Sequence, residues 1–243
     1  MIYQTDADRN TAKPNTRQQG MFFLAYSIVL FTLVLLGFGP TFFVRGIFEV
    51  EPLHIVLVVH GVICTAWFAL LIYQSWLVRN RNLTLHRRVG KLACLIIGLL
   101  FLVGIPTAFG LQQRLVDAGA AELESLATPR RWAQVARDVL LFVSFLGLAI
   151  SGIAFRKRPP THKRFLILAS VVLTTPGLAR LSQFELLKSI PEPLGFLGTL
   201  ALLFLVPMIR DCIVEKHVHP ILKWGSPLTF VVVVLLLLMP EML

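Results

Sequence analysis

Charge is scarce in this chain. Of 243 residues only 15% are Asp, Glu, Lys or Arg, 56% are hydrophobic, and the mean hydropathy is +0.76. That balance excludes an ordinary soluble domain. Strand-type alternation of apolar and polar residues is also lacking, which disfavours a β-barrel. Cysteine is limited to Cys64, Cys94 and Cys212, each in or beside an apolar run and none in CxxC spacing. So small and scattered a set supports neither a disulfide framework nor a zinc site. There is no Walker A loop, no lysine in the middle of the last apolar run to carry a retinal Schiff base, and no HxxxH layout of seven-helix zinc hydrolases. The HxxH clusters of di-iron desaturases and the paired carboxylates of membrane prenyltransferases are missing too. No enzymatic reaction is legible from what remains.

What the chain does contain is repeated apolar runs of about 20 residues, each long enough to cross a bilayer core as a helix. Seven are predicted, over 21–44, 53–78, 88–111, 133–155, 163–182, 193–214 and 222–242. The fold expected is therefore all-α, a seven-transmembrane-helix bundle forming one domain over 21–243. Residues 1–20 are polar, contain Pro14 and have no apolar core. They read as a disordered cytoplasmic tail and not as a signal peptide. The fifth run is the weakest, being short and holding Pro176 and Gly177. The last, with its TFVVVVLLLLM stretch, shows no polar face and is expected to pack at the periphery against lipid.

The net charge of +10 resolves into topology once it is placed on the loops. With the N-terminus inside, the inner segments collect 16 of the 23 Lys and Arg residues, in groups around Arg9–Arg17, Arg79–Lys91, Arg156–Arg164 and Arg210–Lys223. The outer side keeps Arg45, Arg114, Arg130, Arg131, Arg137, Arg180 and Lys188. The positive-inside rule then predicts a cytoplasmic N-terminus and an external C-terminus, in a cell inner membrane. It also removes the nucleic-acid partner that a basic chain would otherwise suggest. The longest outer loop, 112–132, holds a predicted surface helix over 117–126, then Thr128 and Pro129 as N-cap and first-turn proline of the fourth span.

Second-span residues His60, Cys64, Trp67, Leu71 and Gln74 share one helix face. An ionisable side chain at membrane depth marks a candidate site. His60 lies seven residues into its span, ~10 Å deep at about 1.5 Å per residue. Thr107, Asp138 and Arg180 fall at comparable depth from the same side, so His60, Thr107, Asp138 and Arg180 are expected at one level; mid-span Trp67 more often packs than binds in such a place, and its other reading is as the floor of a pocket over His60. Pro40, Pro106 and Pro176 lie in the same third of the bundle, where irregular helix geometry is tolerated if it lines a cavity. Arg137, Ser144 and Ser151 make a second polar stripe on the fourth span. A plain alternative is that Asp138 and Arg180 form a structural ion pair.

The inner side carries a weak repeat: Leu85-His86-Arg87-Arg88-Val89 before the third span, Thr161-His162-Lys163-Arg164-Phe165 before the fifth, and His217 and His219 before the seventh. The basic residues set topology and suit anionic lipid head groups at 86–91 and 162–164. Topology does not ask for histidine, however. His86 and His162 share a level and are candidates to ligate one cofactor, haem b above all. His60 is the other candidate axial ligand, though no histidine faces it at its depth.

Across 54–182, the residues His60-Gly61, Trp67, Gln74, His86-Arg87-Arg88-Val89-Gly90 and His162-Lys163-Arg164 resemble a loose group of bacterial multi-pass membrane proteins of uncharacterised activity. Their shared pattern is a membrane histidine, an LHRxxG loop and an H(K/R)R loop. The pattern is also distantly similar to b-type cytochrome and ferric-reductase-like modules, which carry membrane histidines in pairs. Three functions stay open: binding or transport of a small acidic or quinone-like molecule, a haem b redox protein, and a non-catalytic accessory subunit.

Overall fold

The computed structural model describes residues 16–48, 53–117, 128–184, 190–191 and 195–241. They form eight α-helices: α1 (Thr16–Phe38), α2 (Ile55–Arg79), α3 (Leu83–Val89), α4 (Lys91–Asp117), α5 (Pro129–Ala154), α6 (Pro159–Leu181), α7 (Phe196–Arg210) and α8 (Pro220–Leu238). With α3 and α4 counted as one, seven helices are long and apolar enough to span a membrane, so the chain is a multi-pass all-α membrane protein. Among the described residues there is no strand. Residues 1–15 of the expected tail lie outside the described residues. From Thr16 to Gly20 that expectation is corrected, because α1 already begins at Thr16. The surface helix expected over 117–126 lies outside the described residues beyond Asp117, which closes α4.

Side-chain caps mark the helix starts. His54 Nδ1 accepts from the Val56 amide, Asn82 from Leu85, Thr128 from Arg131 and His219 from Ile221, so each satisfies one orphan N–H of its helix. Tight turns follow: Arg81 and Lys216 both adopt left-handed backbone, with φ of 59° and 61°. The short turn between α2 and α3 makes the second and third spans antiparallel neighbours.

Neighbouring contacts close a ring. α1 packs on α2, α2 on α4, α4 on α5, α5 on α6, and α6 returns to α1, while α7 and α8 lie against α6 from outside the ring. The fifth span, the weakest by sequence, is the best enclosed: 61% of its most apolar window is buried, against 17% for the second span. Its low hydropathy has a physical reason. A helix surrounded by protein needs packing and not lipid compatibility, so Ser170, Thr174 and Thr175 are tolerated, each donating its hydroxyl to the carbonyl four residues back. Small residues allow close approach: a Cβ on Gly37 of α1 would stand 2.0 Å from the Gly177 carbonyl oxygen of α6. The last span corrects another expectation. Its first half does have a polar side, with Ser226 and Thr229 buried beside Leu222 and Val233.

Candidate functional site

At the end of the ring opposite the basic loops, a cavity of about 650 Å³ opens between α1, α2, α4, α5 and α6. His60, Thr107, Asp138 and Arg180 all line it, one from each of four spans. The fold thus brings together the four residues placed at one level by depth alone. Trp67 does not line it. The indole lies one layer deeper, 3% exposed, with Nε1 donating to Ser170 Oγ at 3.1 Å and the ring edge-on to Phe145 at 5.1 Å. Phe145 and Phe68 form the floor assigned to Trp67.

Two backbone devices shape the walls. Beyond α1, Gly39–Phe43 winds as a π-helical turn closed by the Val44 amide on the Gly39 carbonyl at 2.9 Å. Pro40 has no N–H for the α-helical ladder, so the wider turn is where the chain relaxes. This turn brings Thr41, Phe42 and Phe43 to the cavity. Glycine then makes room for rings: a Cβ on Gly61 would meet Phe42 at 2.4 Å, and one on Gly104 would meet Phe142 at 2.8 Å. These phenyl walls were not foreseen. Their signal was present as glycines at the cavity's depth in the second and third spans.

The polar groups differ in what they have left to offer. Thr107 and Thr65 donate their hydroxyls to the carbonyls of Val103 and Gly61, both at 2.7 Å, leaving only acceptor lone pairs toward the cavity. Asp138 is paired with its neighbour Arg137 at 2.9 Å, and that pair replaces the expected Asp138–Arg180 bridge. Arg180 instead lies over the Phe38 ring at 4.3 Å and donates to the Pro176 carbonyl at 3.2 Å. Pro176 removes an N–H from that turn, so the helix there is held by a side chain as well as by backbone. His60 Nε2 is 3.5 Å from Cys64 Sγ, and His60 Nδ1 is buried without a hydrogen-bond partner. An unpaired buried ring nitrogen is costly unless something binds it. Ser144 and Ser151 do not line the cavity and donate to the carbonyls of Leu140 and Gly147, so only Arg137 of the predicted stripe reaches it. The lining holds a single imidazole, which does not suit a bis-histidine haem at His60.

At the opposite, basic end a second polar layer forms. Arg164 is fully buried, with Nε and Nη2 donating to Asp211 at 2.7 Å each and Nη1 to the Pro160 carbonyl at 2.8 Å. Arg210 bonds Asp211 and Glu215, and Lys163 lies 3.8 Å from Glu215. Arg164 is thus committed to a buried network and does not face head groups, contrary to the expectation for 162–164. His219 donates its backbone N–H to Asp211 at 3.3 Å, and burial together with the Arg164 charge holds its imidazole below the ordinary pKa. His86 and His162 also meet here, ring centres 6.4 Å apart. Among the described residues no three His, Cys, Asp or Glu side chains gather as metal ligands. No protein-family model, curated protein or solved structure matches this chain.

Proposed function

We propose that this is an inner-membrane protein that binds or transports a small acidic or quinone-like molecule in the cavity lined by His60, Thr107, Asp138 and Arg180. The observation that carries this reading is His60 Nδ1, a buried polar atom with no protein partner beside a cavity of about 650 Å³. A volume of that order suits a small molecule. The phenyl rings of Phe38, Phe42, Phe68, Phe142 and Phe145 would take its apolar body. Arg180 would meet its carbonyl or carboxylate, and His60 with Asp138 would make occupancy respond to protons. Arg137 and Arg180 outnumber Asp138 in the lining, and Asp138 is paired with Arg137, so the cavity favours an anionic or electron-rich group over a cation.

The test is ligand-dependent thermal stabilisation in detergent, using a medium-chain carboxylate and a short-tailed quinone. At 100 times Kd a ligand stabilises by about 2.7 kcal/mol. The parent should show that shift with one of the two, and His60→Ala and Arg180→Ala should lose it while eluting as the parent does. Variants that respond like the parent sink the proposal.

We also propose that the basic end faces the cytoplasm, on the strength of the Lys/Arg asymmetry. Exposed Arg87, Arg88 and Lys91 would lie against anionic head groups there. In a background with the native cysteines replaced, Arg81→Cys should resist a membrane-impermeant thiol reagent in spheroplasts and react in inverted vesicles. The reverse pattern overturns the orientation.

A further inference from the structure

We propose that the cavity takes a single-chain carboxylate, its head held by Arg180 and His60 and its tail running down to the phenyl floor. The assignment rests on the proposed ligand cavity and narrows its occupant from acidic or quinone-like molecules to one class. The charged lining residues, Arg45, Arg137, Asp138 and Arg180, all lie in the half of the bundle away from the basic loops. Deeper in, the walls carry no charge: Cys64, Leu141 and Phe142 lead down to Phe68, Phe145 and Val172. Thr65, Thr107 and Thr175 have spent their hydroxyl donors on carbonyls of their own helices. A cavity charged at its mouth and apolar at its base suits an amphiphile.

Three helices give the apolar part the same depth. His60 and Phe68 are eight residues apart on α2, Asp138 and Phe145 seven apart on α5, and Val172 and Arg180 eight apart on α6. At about 1.5 Å per residue, each pair spans a drop of ~10–12 Å. With C–C bonds of ~1.5 Å an extended chain advances ~1.25 Å per carbon, so a tail of about eight to ten carbons covers that drop. Phe68, Phe145 and Val172 are almost wholly buried, so the cavity ends blind on them. A longer tail has nowhere to go.

The head group follows from charge and from the unpaired nitrogen. Arg137 and Arg180 outnumber Asp138, and a neutral quinone would leave that excess positive charge in place. A carboxylate offsets it and has a second oxygen for His60 Nδ1. Because a carboxylate only accepts, Nδ1 carries the ring proton, and Nε2 accepts from the Cys64 thiol 3.5 Å away. An amphiphile with an anionic head and one medium-length tail meets all these demands.

The full chain in lipid nanodiscs is titrated with straight-chain carboxylates from butanoate to hexadecanoate, with the matching alcohols and with a short-tailed quinone. Free ligand is measured by dialysis, and binding to empty discs is subtracted. Affinity should rise about fourfold per methylene and level off at about nine to eleven carbons in all. Decanol should bind about 10–100-fold more weakly than decanoate. Phe68→Leu should move the plateau to longer acids and Val172→Leu to shorter ones. The acid–alcohol comparison and the plateau itself are read in the parent, so they stand even if a floor variant does not fold. Affinity that climbs on to hexadecanoate, equal binding of decanol and decanoate, or a plateau that neither folded variant moves overturns the assignment. If the quinone alone binds, and does so through His60 and Arg180, this assignment falls while the cavity reading survives. If no ligand responds to loss of those two side chains, both fall.

Discussion

Arg164 is the residue whose environment constrains its partners most. A guanidinium at 0% exposure needs protein partners in place of water, and each of its three nitrogens has one among Asp211, Glu215 and the Pro160 carbonyl. Removing one partner of a buried ion pair strands the other, at a cost of about 3–5 kcal/mol. Asp211→Ala should lose stability on that scale in detergent unfolding. The double replacement Arg164→Met with Asp211→Leu should recover most of it, since no charge is then left unpaired. A loss below about 1 kcal/mol for Asp211→Ala would show that the network does not hold the helices. The sequence shows Arg164 as one more cation in a loop. It cannot show that its counter-ion stands 47 positions later, because pairing across spans depends on which helices become neighbours.

Among elements, α1 and α6 cross with a close backbone approach. Gly37 lies against Gly177, and a methyl group there would come to 2.0 Å from a carbonyl oxygen. Gly37→Ala should therefore separate the helices and destabilise the fold by about 1–3 kcal/mol. Gly98→Ala, where nothing lies within 4 Å, should be neutral or slightly stabilising. Comparing the two thermal shifts checks this, and equal shifts would remove the close approach as a cause. The helices themselves were legible from apolar length, and the start of α5 from Thr128-Pro129. Their burial was not. Hydropathy records how well a segment suits lipid, so the enclosed fifth span reads as the weakest, and the second span, which carries His60 and looks central, is mostly peripheral.

For the molecule as a whole, depth along the membrane was readable and lateral position was not. Spans start from a common interface and rise by a nearly constant step, so His60, Thr107, Asp138 and Arg180 were placed at one level by counting. Which side chain each one faces depends on helix rotation and closure of the five-helix ring. That is why Asp138 pairs with Arg137, Arg180 turns to Phe38, and Phe145 replaces Trp67 as the floor. The enclosed fifth span also bears on how the chain is made. It has the lowest mean hydropathy of the seven spans, 1.4, and carries Arg164, while Asp211 belongs to the next span. A central arginine opposes insertion of an isolated helix by about 2.5–3.5 kcal/mol, somewhat less near an end. A chain stopped at residue 190 should therefore leave this span more protease-sensitive in membranes than the full chain, and equal protection would refute the idea. During synthesis the fifth span emerges ahead of Asp211, so its counter-ion reaches it only with the helix that follows.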